Sequence, residues 1–281
     1  MDSSDQLPVA AAWFTVTWVT GRTAVLTEPH VDELLRANLW YLRGRDRDLL
    51  VDAGNGIAPL APVLARFARG GHRDVVCVAT HAHVDHIGGF HEFEHRLVHP
   101  AEERTMERNR DEAPLLSASW PQELRDEIAA SGYVLPPVLV DAIPSPEFDP
   151  ATFHIRGAAP TQSVRGGDEL DLGGRRLTVV ELPGHTPGSI GLIDAEENAL
   201  LSGDAIYDGA LIDTLPESDV AQYLRTMDAL RTLEVEVVYP GHGEPFGGER
   251  LRELAEQYLR ARRLTQPPAA NLSPAAPPRR R

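Results

Sequence analysis

Short apolar runs alternate with amphipathic stretches along almost the whole chain. Trp13 to Val19 (WFTVTWV) is β-branched and aromatic, the composition of a strand. Leu39-Trp40-Tyr41-Leu42 and Leu49-Leu50-Val51-Asp52 flank the charged turn Arg43 to Asp48 and read as a hairpin. Ile57, Leu60, Val63, Leu64 and Phe67 recur at helical spacing, which predicts a helix over 57–69 ending at Gly70-Gly71. Asp74 to Thr80 is a short apolar run suited to a buried strand. Further strands are predicted at 176–182, 190–193, 199–201 and 235–239. Ser218 reads as the N-cap of a helix running to about Leu233, and 249–264 as a last amphipathic helix.

The pattern changes between His99 and about Pro150. Two charged helical stretches, about 101–113 and 121–131, are joined and followed by Pro-rich segments such as Leu135-Pro136-Pro137. We read about 100–150 as a lid-like insertion in one domain spanning 1–264, with surface decoration as the alternative. Residues 265–281 are Pro- and Ala-rich, end in three arginines, and read as a disordered tail.

Charge narrows the partners. The formal net charge is −15 over 281 residues, which disfavours nucleic acid, because phosphate backbones are held by clustered Lys and Arg. Cys77 is the only cysteine, so no intrachain disulfide forms, and its apolar setting predicts a buried thiol. The acidic start Met1-Asp2-Ser3-Ser4-Asp5 lacks the form of a secretory signal. No run approaches the ~18 apolar residues of a membrane span. The expected address is the cytoplasm and the expected partner a small-molecule substrate; the sequence carries no signal for an oligomeric state.

The chemistry is concentrated at Thr80-His81-Ala82-His83-Val84-Asp85-His86, directly after the apolar run. Imidazole and carboxylate are the ligands that borderline divalent metals prefer. Residues two apart in an extended segment can face one way, as His81 and His83 do, leaving Asp85 and His86 for a second point. Three more ligand types follow other strand-like runs: His185 in Leu182-Pro183-Gly184-His185, Asp204 in Leu201-Ser202-Gly203-Asp204, and His242 in Tyr239-Pro240-Gly241-His242. Each sits among glycines, where backbone and ligand can approach closely. His91, His95 and His99 recur at a spacing that would line a helical face. Since Phe90, Phe93 and Leu97 carry the apolar positions, these histidines read as solvent-facing or hydrogen-bonded. Neither a Gly-x-Ser-x-Gly elbow nor a Walker loop is present.

His81-x-His83-x-Asp85-His86, then His185, Asp204 and His242 in that order, resembles the metallo-β-lactamase-fold superfamily over about residues 10–262. The resemblance implies a four-layer α/β sandwich of αββα type. It implies two divalent metal ions, zinc first with iron or manganese as alternatives. His81, His83 and His185 would hold metal one, Asp85, His86 and His242 metal two, and Asp204 would bridge them. Asp52 matches the family's early strand-end Asp, which orients the site; its alternative is a turn-capping Asp.

The expected chemistry is hydrolysis of an ester-type bond (lactone, ester or thioester) by a hydroxide shared between the metals, with Asp85 as proton carrier. Asp204 differs from the residue typical of true β-lactamases at that position and is similar to glyoxalase II, acyl-homoserine lactonases and RNA-processing members; the acidic balance disfavours the last. Tyr207, three residues on, matches a lactonase phenol that donates to the substrate, with plain packing as its alternative. Against a glyoxalase II-like role, Ser189 stands where many relatives have a second His. Arg250, Arg252, Arg260, Arg262 and Arg263 also do not match that family's glutathione site. The competing readings are an iron-dependent persulfide dioxygenase-like oxidoreductase, expected to have a reduced ligand set, and a non-catalytic metal-stabilised binding protein.

Overall fold

The computed structural model describes residues 7–67, 74–107, 114–130 and 132–265. Its strands form two sheets. The first contains β1 (Thr15–Trp18), β2 (Thr23–Thr27), β3 (Leu39–Leu42), β4 (Asp48–Val51), β5 (Val75–Val78), β6 (His95–Val98) and β7 (Gln162–Ser163), in that spatial order. Strands β1 to β4 pair antiparallel and β4 to β7 parallel, so the sheet is mixed. The second contains β8 (Glu169–Asp171), β9 (Arg176–Glu181), β10 (Ile190–Asp194), β11 (Ala199–Gly203), β12 (Val237–Pro240) and β13 (Phe246–Gly247), ordered from β13 to β8. Only its β11–β12 pair is parallel.

Period-two alternation explains the layers. Trp40, Leu42, Leu49, Val51, Val76 and Val78 face Leu177, Val179, Leu192 and Leu201 between the sheets. Their neighbours Leu39, Tyr41, Leu50 and Cys77 turn the other way, onto α1 (Ala61–Ala65), α2 (Val84–Ile87) and α3 (Glu103–Met106). Leu200 and Val238 face α5 (Val220–Leu230) and α6 (Gly248–Thr265), which contribute Tyr223, Met227, Leu251 and Leu259. The result is the expected αββα sandwich. Cys77 is buried and free, as its setting predicts.

Strand direction positions the chemistry. β4 and β5 are parallel, and so are β11 and β12; β9 runs the same way as β11 because both oppose β10. The C-terminal ends of these strands therefore carry Asp52, His81, His185, Asp204 and His242 to one edge. Ile190 N–H donates to Thr80 O at 2.9 Å and Asn38 N–H to Gly241 O at 2.7 Å, joining the sheets there.

Several elements differ from expectation. The helix over 57–69 shrinks to α1, with Pro62 in its first turn; Pro59 and Pro62 disfavour helical backbone at the residues before them. Ile57 and Leu60 are buried all the same. The stretch about 101–113 contains only α3 among the described residues, and 108–113 lie outside them, whereas 121–131 holds α4 (Gln122–Ala130). Ser218 is not the cap of α5: Asp219 is, accepting from Gln222 N–H, and α5 ends at Leu230. His91, His95 and His99 share no helix; His91 lies in a 3-10 turn, its Nδ1 donating to Gly88 O, and His95 opens β6. The tail beyond residue 265 lies outside the described residues. Among the described residues no helix is long and apolar enough to cross a membrane.

One buried ion pair staples the second sheet to the first. The fully buried Arg175 donates through Nε to Asp194 Oδ2 at 2.8 Å, and its other nitrogens reach Arg22 O and Thr23 Oγ1. Removing one partner of such a pair strands the other charge, at about 3–5 kcal/mol. Arg175→Met should lower unfolding stability by that order in chemical denaturation; a change within about 0.5 kcal/mol, typical of surface sites, contradicts this role.

Candidate metal centre

Every predicted ligand reaches one cluster. Three groups have ligand atoms all within 4.8 Å of one another: His81, His83 and His185; Asp85, His86 and His242; and His81, His86 and Asp204. The first two are the two expected half-sites, and the third places Asp204 between them. Asp204 Oδ1 stands 3.4 Å from His86 Nε2, while Oδ2 stands 3.4 Å from His242 Nε2 and 3.7 Å from His185 Nε2. Asp85 Oδ2 lies 3.2 Å from His242 Nε2 and 3.4 Å from His86 Nε2.

The outer nitrogens set the imidazole tautomers. His86 Nδ1–H donates to Asp52 Oδ2 at 2.8 Å, His185 Nδ1–H to Ile212 O at 2.8 Å, and His83 Nε2–H to Glu217 Oε1 at 2.9 Å. Thr80 Oγ1 donates to Asp52 Oδ2 at 2.9 Å, so it accepts from His81 Nδ1–H at 3.1 Å. Once deprotonated, the four inner nitrogens would present their lone pairs inward. His185 Nε2 and His83 Nδ1 face each other at 3.0 Å. Nitrogens of a tetrahedral zinc site with bonds of about 2.0–2.1 Å stand roughly 3.3 Å apart.

Three buried polar atoms, His81 Nε2, His86 Nε2 and Asp204 Oδ1, make no hydrogen bond. Each such atom costs on the order of 1–3 kcal/mol, and all three belong to residues of one of the clustered groups. The nitrogen and oxygen donor set suits zinc, iron or manganese. The residues fit divalent metal.

The two halves differ in electrostatics. Burial pushes His81 well below the ordinary imidazole value and His185 down to about 4, the neighbouring imidazoles adding to the effect. In the other half burial opposes charge but the carboxylates outweigh it: Asp85, Asp204 and Asp52 hold His86 up, and Asp204 and Asp85 hold His242 up to about 10. Against the same burial, His86 and His242 hold Asp85 and Asp204 well below the usual carboxylate range.

Close approach depends on glycine. A Cβ on Gly241 would lie 2.1 Å from Asp204 Oδ1, and one on Gly203, at φ 50°, would lie 2.5 Å from Thr80 Oγ1. Tyr207 stands beside the centre, its ring edge-on to that of His242 at 5.8 Å, with its hydroxyl donating to Ala210 O at 2.7 Å. The phenol is thus committed to its own loop rather than directed into the cluster.

Sequence reasoning missed several supports. Thr80 relays Asp52 to His81; Glu217 holds His83; Ser218 Oγ donates to His185 O at 2.8 Å. Buried Glu102 accepts from Thr186 Oγ1 and Gly188 N–H at 2.8 Å, fixing the turn after His185. Asn38 Nδ2 donates to Pro240 O and Gly243 O around His242. Thr80 and Ser218 adjoin motif or cap positions, which was the available signal.

Two outcomes are expected. Asp52→Ala should weaken metal binding ten- to hundred-fold, as loss of such orienting partners does; unchanged affinity in a chelator competition contradicts this. Metal must displace the protons that His242 holds up to about pH 10 and that His86 also retains. Zinc titration at pH 8 should release protons, read as a buffer-dependent heat, and affinity should fall as pH falls. Heat independent of the buffer contradicts this.

Comparisons with known proteins agree with the geometry. The family model described as the Metallo-beta-lactamase superfamily matches residues 33–242. Acyl-coenzyme A thioesterase MBLAC2 of Gallus gallus is 38% identical over 234 residues, 80% of this chain and 78% of that protein. Hydroxyacylglutathione hydrolase of Dechloromonas aromatica is 27% identical over 205 residues, 73% of this chain and 57% of that protein. Among solved structures, a metallo-beta-lactamase family protein from Thermus thermophilus gives a TM-score of 0.62 at 24% identity, over 88% of this chain and 81% of that one, a likeness of fold. The chain belongs to the metallo-beta-lactamase superfamily and is an enzyme, a hydrolase.

Proposed function

We propose that this hydrolase is a dinuclear metal-dependent thioesterase acting on acyl-coenzyme A-type thioesters. The observation that carries it is the clustering of side chains suited to two ligand sets around Asp204, with buried polar atoms that make no hydrogen bond. The substrate class rests on the acyl-coenzyme A thioesterase relatives at 36–38% identity. The persulfide dioxygenase-like reading expects a reduced ligand set, and the binding-protein reading expects lost ligands; the clustering of all seven candidate side chains supports the hydrolytic reading over both.

His81, His83 and His185 would hold one cation, Asp85, His86 and His242 the other, with Asp204 between them. Bound there, two divalent cations supply charge to polarise an acyl carbonyl and lower the pKa of water towards neutrality, with zinc as the first choice. The protein does the rest. Asp204 and the imidazoles, fixed through Asp52, Thr80, Glu217 and Ile212, hold the reacting centre in one geometry. The Asp85 carboxylate, kept ionised by His86 and His242, takes the proton of the attacking water. A C–O bond forms, the C–S bond breaks, and that proton passes to the departing sulfur, giving carboxylic acid and thiol.

Burial, with Asp204 adding, keeps the Tyr207 phenol protonated and therefore a donor. To serve the substrate it must exchange Ala210 O for the carbonyl or leaving atom. The described residues of the insertion about 100–150 support a lid role: Val140 bridges to Val31, and their apolar cluster reaches Val84, inside the His-rich motif. Cys77, buried and free, makes no demand for an oxidising compartment, which supports a cytoplasmic address.

His83→Ala should lose metal and activity together; full activity with metal depleted sinks the assignment. Tyr207→Phe should lower turnover and leave metal content unchanged, and an equal rate removes Tyr207 from the reaction. Acyl-coenzyme A should be cleaved with higher kcat/KM than acyl lactones of matching chain length. The reverse order would return the enzyme to the lactonases.

A further inference from the structure

The loop from Asp204 to Asp213 begins on a ligand of the metal centre and ends on a carboxylate whose side chain is completely buried. Helix α6 grips that end. Tyr258 Oη donates to Asp213 Oδ2 at 2.6 Å, Arg262 Nε donates to the same oxygen at 2.6 Å, and the second Arg262 nitrogen reaches Oδ1. The residue before Asp213, Ile212, supplies the carbonyl that accepts His185 Nδ1–H at 2.8 Å. A continuous path thus runs from the far half of α6 through one buried carboxylate and one peptide unit to a metal-facing imidazole.

We propose that Arg262 and Tyr258 are positioning residues for His185, and through it for the three-imidazole half of the metal centre, an assignment that rests on the dinuclear reading above. Their planar two-point grip on Asp213 fixes where the Ile212 carbonyl stands. That carbonyl decides which His185 nitrogen carries the proton and where the other one points. The same loop has a second tie to α6, Arg250 to Asp208, with both side chains partly exposed. Exposed pairs of that kind contribute about 0–1 kcal/mol, so the contacts made to the buried Asp213 carboxylate are the ones that set the loop. Three of the other imidazoles lean elsewhere: His81 on Thr80, His83 on Glu217, His86 on Asp52. Loss of the grip therefore acts selectively on one half-site, which a purely structural contact would not do.

The test is a zinc titration of the full chain against a chromophoric chelator, repeated with cobalt(II), whose visible absorption reports the ligand geometry. The wild type takes two ions. Arg262→Met should weaken one of them ten- to hundred-fold and change the cobalt spectrum of that site, leaving the Asp85, His86 and His242 site at wild-type affinity. Tyr258→Phe, which removes a single oxygen, should weaken the same ion by less and keeps the test alive where Arg262→Met folds poorly. Arg262→Lys should recover part of the loss. Two ions bound as in the wild type by both Arg262→Met and Tyr258→Phe, or equal weakening of both ions in step with a lower thermal midpoint, overturn the assignment while leaving the metal centre standing. A wild type that takes up no metal overturns the metal centre itself, and this assignment with it.

Discussion

The Asp52 carboxylate stands where β4 leaves the first sheet, held at φ 65° in the left-handed region that non-glycine residues enter at a cost of about 1–3 kcal/mol. Its two oxygens accept Thr80 N–H at 2.7 Å, Thr80 Oγ1 at 2.9 Å and His86 Nδ1–H at 2.8 Å. These three bonds lock the end of β4 to the end of β5, and the end of β5 is where the His-rich segment begins. Through Thr80 the carboxylate sets His81, and directly it sets His86, so each half of the centre has an imidazole oriented by one buried anion. Without it the inward lone pairs lose their direction.

A second constraint follows from burial. Seven candidate ligand side chains converge at the sandwich edge, and several of their buried polar atoms make no hydrogen bond within the protein. Such an arrangement survives only where the fold over-determines it. The parallel pairs β4–β5 and β11–β12 bring four strand ends together, and the bonds from Asn38 and Ile190 hold the two sheets in register there. Gly203 and Gly241 then let the loops close to distances that any Cβ would block.

Much of this was legible in the sequence because the ligands are chemically rare types in fixed order, each following an apolar run. The elements that proved shorter or shifted had local causes. Pro59 and Pro62 outweighed the helical spacing of Ile57, Leu60 and Val63, so apolar burial persisted where the helix did not. Ser218 and Asp219 are both good capping types, and composition could not choose between them; the structure gives the cap to Asp219 and turns Ser218 onto His185 O. Glu217, Glu102 and Asn38 act through single hydrogen bonds to residues far away along the chain, a relation that no pattern of neighbours records. Tyr207 was found by its offset from Asp204, but its bond to Ala210 O depends on loop conformation.

Elemental analysis of the freshly purified full chain bears most directly on the dinuclear assignment. Near two divalent ions per chain, falling together with thioesterase activity on chelation and returning with it on reloading, is the result this arrangement of ligands predicts. One ion or none per chain, with thioester hydrolysis undiminished by chelation, would contradict it.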